Sequence, residues 1–309
     1  MATLLITHAE CVAHDTSPGH PERSARLTAV LKALDAPPFA ALIRREAPKA
    51  DLAAIARVHD PDYIRATLDA VPLSGYAALD PDTILSPPSG EAALRAAGAL
   101  VAAVDAVIAG EASNAFCAVR PPGHHATRDQ AMGFCLFNNV AIGALHALDA
   151  HGLARVAVVD FDVHHGNGTQ EVAERDARVF FASTHQYPAY PGTGLATETG
   201  QGNVVNAPLE PGAGSADFRD AFADIVAAAR AFRPELVLIS AGFDAHARDP
   251  LASLALSEDD FAWATREILA VARDCCGGRV VSTLEGGYDL DALAASAAAH
   301  VRELMRGAS

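Results

Sequence analysis

The 309 residues carry 38 acidic against 23 basic side chains, a net charge of -15, and half of them are hydrophobic. That balance counts against nucleic acid or an anionic membrane as a direct partner and leaves a cationic substrate open. Length and hydrophobic content suit a large buried core, read as one α/β domain over residues 1–309 rather than two smaller ones.

Cys11, Cys117, Cys135, Cys275 and Cys276 show no zinc-finger spacing and fit a reducing compartment, so the expected location is cytoplasmic. Cys117 and Cys135 lie in apolar surroundings and read as core residues. The first eight residues lack the basic start and long apolar stretch of a signal peptide. No apolar run is long enough to span a bilayer.

In chain order, residues 3–7 read as a strand. A loop, Ser17-Pro-Gly-His-Pro-Glu-Arg, follows, with Pro21 opening a helix to about Leu34. Short helices are expected over 52–58 and 62–68, then a long Pro-, Gly- and Asp-rich loop over 71–88 that shapes a binding surface or mediates contacts between copies in a homo-oligomer. Helices over 91–109, 140–150, 166–175, 215–232, 258–275 and from Asp289 onward alternate with strands over 114–119, 155–161, 178–184, 235–240 and 279–284. Residues 188–211 read as a second long loop. Such alternation indicates a mainly parallel sheet covered by helices on both faces.

The stretch from Arg155 to Gly168 organises the rest. Its apolar half, residues 155–161, is a strand buried on both faces. Asp160, Asp162, His164 and His165 stand at its end, and alternation places Asp160, Asp162 and His164 on one side. Ligands in parallel sheets collect at the carboxyl ends of strands, so other strand ends converge there: His124 and His125, Asp244, and Tyr288. Asp162, His164 and Asp244 are candidate ligands for a catalytic zinc with a position left for water, although Asp244 also suits a turn. Nitrogen and oxygen donors equally admit Fe(II), Co(II) or Mn(II). His124 and His125 follow a stiff Arg-Pro-Pro-Gly turn and suit proton transfer, with Asp160 orienting one ring and Asn167 the other; the alternative is a structural pair. Tyr288 is a candidate oxyanion donor or a packing residue, and Phe134 and Tyr190 either wall an aliphatic slot or pack on the core.

Arg120-Pro-Pro-Gly-His-His-Ala, Gly133-Phe-Cys-Leu-Phe-Asn-Asn, Asp160-Phe-Asp-Val-His-His-Gly-Asn-Gly-Thr-Gln, Ser240-Ala-Gly-Phe-Asp-Ala and Glu285-Gly-Gly-Tyr-Asp-Leu together resemble the histone deacetylase family. The closer likeness is to its class II-like bacterial members and the acetylpolyamine amidohydrolases. The resemblance implies a three-layer arginase-like fold with a sheet of about eight strands, and zinc on Asp162, His164 and Asp244. It makes His124 and His125 the proton-transfer pair, with Asp160 behind His124, Asn167 in its class II form, and Tyr288 as oxyanion donor. It implies potassium at Asp160, Asp162, His164, Ser183 and Thr184. It places Gly133, Phe134 and Tyr190 along an acyl-lysine tunnel, Asp82 and Leu251 at its rim, and Arg23 in an internal acetate channel.

The implied activity is metal-dependent hydrolysis of an acetyl, or related short acyl, amide. In it His125 moves the proton, His124 supplies charge, and Tyr288 holds the oxyanion. Acylated lysine in peptides or proteins is the leading substrate, because Leu251 stands where a polyamine-selective relative has Glu. Acetylated polyamine is the runner-up, and an acylated small metabolite the third. A non-catalytic reader of acyl ligands would have little use for Tyr288 and the histidine pair.

Overall fold

The computed structural model describes residues 2–308. The N-terminal third runs β1 (Thr3–Thr7), α1 (Ala9–Ala13), α2 (Ser24–Leu34), β2 (Ile43–Glu46), α3 (Leu52–Ile55), α4 (Pro61–Asp69), β3 (Ala77–Ala78), β4 (Ile84–Leu85) and α5 (Ser89–Ile108). The middle runs β5 (Asn114–Cys117), α6 (Asn139–His151), β6 (Val156–Asp160), α7 (Asn167–Arg175), β7 (Val179–Gln186) and β8 (Val204–Leu209). The last part runs α8 (Ser215–Phe232), β9 (Leu236–Ala241), α9 (Glu258–Cys276), β10 (Val280–Leu284) and α10 (Leu290–Gly307).

Among the described residues, eight strands form one sheet in the order β2-β1-β5-β10-β9-β6-β7-β8. Every neighbouring pair is parallel. Every residue of β5, β6, β7, β9 and β10 is buried, which requires cover on both faces. One layer joins α5 to α6, and a second runs from α2 through α10 and α9 to α8. The helix ends follow the local chemistry. Asp289 caps α10 through the Ala292 N–H, and Ser257 with Asp260 forms a capping box on α9. Gly152 and Gly277 close α6 and α9 in the left-handed conformation.

Six strands match the sequence expectation, and the two it lacks, β2 and β8, are the sheet's edges. Edge strands need no two-sided apolar run: all of β2 is exposed, and β8 carries Asn206 and Pro208. β8 thus replaces part of the expected loop over 188–211. The 71–88 segment folds back on itself through the β3–β4 pair. The first α2 residue is Ser24, three residues past Pro21. Among the described residues no helix is long and apolar enough to cross a membrane.

The order β5-β10-β9-β6 makes four chemistry-bearing strands immediate neighbours at the centre of the sheet. Their carboxyl ends deliver His124 and His125, Tyr288, Asp244, and Asp162 with His164 to one edge. Beneath that edge Phe161, Phe243, Phe261 and His300 interlock, with ring centroids 5.2–6.0 Å apart, and give the loops a rigid floor.

Candidate active site

β6 stops at Asp160, so strand alternation does not carry Asp162 and His164 to one side, as the sequence pattern suggested. A ladder of side-chain bonds does. Asp160 Oδ1 accepts from the Asp162 N–H at 3.0 Å, and Asp162 Oδ1 accepts from the His164 N–H at 2.9 Å. Each acid turns the chain for the residue two positions on. Asp162 Oδ2 is held by the Gly286 N–H at 2.8 Å, and Asp244 Oδ1 by the Val163 N–H at 2.9 Å. Asp162 Oδ1, which also takes the His164 N–H, and Asp244 Oδ2 lie 3.2 and 3.1 Å from His164 Nδ1.

These three ligand atoms lie within 4.8 Å of one another. Burial opposes charge on His164, yet the two carboxylates outweigh it and raise its proton affinity to about 10. Asp162, despite its burial, is held well below the usual carboxylate range by the neighbouring imidazoles. Asp244 is pushed up by burial and by the charge on Asp162. The pocket therefore favours a positive charge where the three atoms meet. One nitrogen and two carboxylate oxygens, each carboxylate anchored through its other oxygen, fit a divalent transition metal.

The adjacent histidines face opposite conditions. His124 Nδ1 lies 2.9 Å from Asp160 Oδ2, and His125 Nδ1 donates to Asn167 Oδ1 over the same distance. Burial would discharge His124, but Asp160 and Asp162 prevail and raise it to about 10. His125 is held well below 6.5 by burial and by the charges on His124 and His164. One ring is an imidazolium and the other a neutral base, with its Nε2 free to accept.

Tyr288 is pushed well above 10 by burial, so its hydroxyl stays a donor. Arg26 lies against its ring, 4.8 Å from the centroid. Arg26 also donates to the carbonyls of Glu285 and Gly287, both at 2.5 Å. Arg23, which the resemblance placed in an internal channel, is instead exposed at the start of α2. The helix turns inward one turn later, so Arg26 is the arginine behind the site. Its partner Glu22 is wholly buried and bridges to Arg120, which also donates to the carbonyls of Cys11 and His14.

A cavity of about 220 Å3 leads to this edge, lined by Asp82, Pro122, His124, His125, Gly133, Phe134, His164, Tyr190, Leu251, Gly286 and Tyr288. Tyr190 meets His125 edge-on at 5.1 Å, and Phe134 meets Tyr288 at 5.9 Å, so both are walls rather than core. Tyr190 and Leu251 are 39% and 42% exposed, which places them at the mouth. Gly133 has φ +56°, and a Cβ there would sit 2.5 Å from the His125 ring and 3.0 Å from Tyr190. Only glycine leaves the channel open at that point.

Ser183 pairs with Asp160 across β6 and β7, beside the 160–164 turn. Ser183 Oγ is engaged with His185, whereas the Thr184 Oγ1 is buried without a partner. Ser183 and Thr184 alternate along β7, so the Ser183 side chain shares a face with Asp160 and His185 while the Thr184 hydroxyl points to the other face.

Arg26, Glu22, Arg120, Glu285 and Asp249 carry no role that the sequence alone reveals. Glu285 accepts from the backbone N–H groups of Gly123 and His124 at 2.7 and 3.2 Å, and burial raises it to about 7. Asp249 accepts from the Tyr288 N–H at 2.7 Å, and burial raises it to about 7 as well. Only spatial partners identify these residues. The available signal was charge inside otherwise apolar or glycine-rich motifs, which burial makes costly unless paired.

The histone deacetylase domain model matches residues 20–304. Histone deacetylase 14, chloroplastic, of Arabidopsis thaliana is 39% identical over 326 residues, covering 98% of this chain and 77% of that protein. A histone deacetylase-like amidohydrolase of Pseudomonas aeruginosa is 43% identical over 250 residues, covering 79% of this chain and 66% of that protein. The crystal structure of the HDA15 HD domain superposes with a TM-score of 0.94 at 36% identity, covering 99% of this chain and 88% of that one.

Proposed function

The chain belongs to the histone deacetylase family and is a hydrolytic deacetylase acting on an acetylated substrate, and from that premise we propose that it removes acetyl, or a related short acyl group, from lysine side chains with zinc held by Asp162, His164 and Asp244. The carrying observation is the meeting of that ligand group, a neutral His125 and Tyr288 at the base of one aromatic-walled cavity. Zinc bound there lowers the pKa of water and polarises an acyl carbonyl; Fe(II) or Co(II) suits the same donors.

The chain's own residues carry the proton and charge work. The Nδ1–H bond to Asn167 leaves His125 Nε2 to take a proton as water attacks the acyl carbon. Tyr288 donates its hydroxyl to the developing oxyanion. His125 then passes the proton to the amine nitrogen as the C–N bond breaks, leaving a carboxylate and a free amine. His124, charged and fixed by Asp160, offsets the negative charge that builds at the reacting centre. Potassium, if held by Asp160, Asp162, His164, Ser183 and Thr184 partly through their backbone oxygens, would stiffen the turn that carries two of the zinc ligands.

Gly133, Phe134 and Tyr190 would clasp an aliphatic stem, with Asp82 and Leu251 meeting what lies outside. The exposed apolar Leu251 supports a lysine-type substrate; the net charge of -15 and the Asp82 carboxylate favour an acetylpolyamine as the second reading. Five free cysteines support residence in a reducing compartment, and one continuous sheet supports one catalytic domain over the whole chain. Turnover of an acetyl-lysine peptide, acetylputrescine and acetylspermidine, with metal analysis, tests the proposal. The peptide should lead, and chelation should abolish activity. A preference for either polyamine overturns the substrate assignment, and chelator-resistant turnover overturns the metal.

A further inference from the structure

A second group of metal-type ligands lies on the helical layer, away from the cavity. Asp105 projects from α5, and His146 and His151 project from α6, which packs against α5. Both imidazoles aim Nε2 at one oxygen, Asp105 Oδ1, at 2.6 and 2.7 Å. The ring centroids are 5.3 Å apart and the planes nearly perpendicular, at 84°. All three ligand atoms fall within 4.8 Å of one another. We propose that Asp105, His146 and His151 form a binding site for a divalent transition-metal ion, Zn2+ by preference, that clasps α5 to α6.

Two imidazole nitrogens and one carboxylate are the donor set that suits borderline divalent metals. The three side chains are 50%, 12% and 26% exposed, so an ion reaches them from solvent and water can complete the coordination. Residues from two separate helices converge on one oxygen, whereas an ordinary surface ion pair needs only one partner on each side. Without metal, each ring donates Nε2–H to Asp105. Arg57 Nη1, 3.3 Å from His146 Nδ1, supports that tautomer. A metal at Nε2 moves the His146 proton to Nδ1, and the half-buried Arg57 then swings outward. That rearrangement works against binding. None of the three residues lines the catalytic cavity, so the ion's effect is on stability.

The test is calorimetric titration of the full chain with Zn2+, alongside Asp105→Asn and His151→Ala. Each variant should bind one equivalent fewer than the parent, lose the Zn2+-dependent rise in Tm that accompanies that equivalent, and turn over acetyl-lysine peptide at the parent rate. Equal stoichiometry in parent and both variants overturns the site. Because the comparison is a difference in equivalents, it is independent of whether the catalytic centre holds zinc; Asp162→Ala reports on that centre alone.

Discussion

His124 and His125 are consecutive, yet their neighbours drive them to opposite charge states. His124 faces the Asp160 carboxylate, whereas His125 faces the uncharged Asn167. Asn167→Asp would put a carboxylate against His125 Nδ1 and raise its proton affinity. His125 has to be neutral to accept a proton, so the acid limb of the kcat/KM profile should move to higher pH. A pH–rate profile of the variant checks this, and an unmoved limb removes His125 as the base. Tyr288→Phe keeps the ring that Arg26 and Phe134 pack against and deletes only the donor. Metal content should stay at the parent level while kcat falls by about 100-fold or more, the size of a lost oxyanion donor.

The connections after the strands, more than the strands themselves, set the site, and buried charge fixes them. Glu22 lies between Arg26 and Arg120, with all three side chains fully buried. Through Arg26 it reaches the carbonyls of the Glu285–Gly287 turn, and through Arg120 those of Cys11 and His14. Glu22→Gln leaves two buried guanidinium groups with no counter-charge. Urea unfolding should show a loss of roughly 3–5 kcal/mol, the range for a broken buried pair. The turn after β10 has little room. A Cβ on Gly286 would sit 2.6 Å from Asp162 Oδ2 and closer still to Asp244 Oδ2. Gly286→Ala should therefore lose metal while keeping its far-ultraviolet circular dichroism, measured together on one sample.

Across the whole molecule, several histidines are buried as neutral core groups. His14 and His59 are held down to about 4 and His300 to about 3, in each case first by burial. A folded-state value below the ordinary 6.5 means that the unfolded chain takes up the proton first. The stability these groups allow is whole above pH 6.5 and is lost as pH falls toward their folded values, by up to about 1.4 kcal/mol per pH unit for each group. His300 bonds Thr265 and Ser282 beneath the site. His300→Gln removes the titrating ring, so its stability deficit relative to the parent should shrink as pH drops from 6.5 toward 3, measured by denaturation across that window. A deficit constant with pH would show that the ring is not held neutral.

The six interior strands were legible in the chain, as was the candidate site of His124, His125, Asp162, His164, Asp244 and Tyr288 at their ends, because both rest on local pattern. A strand covered on both faces must be apolar throughout, and reactive side chains beside it stand out. Edge strands β2 and β8 were not legible, since one open side frees them from that pattern. Nor was the exchange of Arg23 for Arg26, because which face of α2 turns inward depends on what packs against it. Arg120, Glu285 and Asp249 gain meaning only from partners far along the chain, 98 residues from Arg120 to Glu22, 162 from Glu285 to Gly123 and 39 from Asp249 to Tyr288. Periodicity and residue chemistry are carried by neighbours in sequence; the pairing of buried charges is carried by neighbours in space, and only folding brings those together.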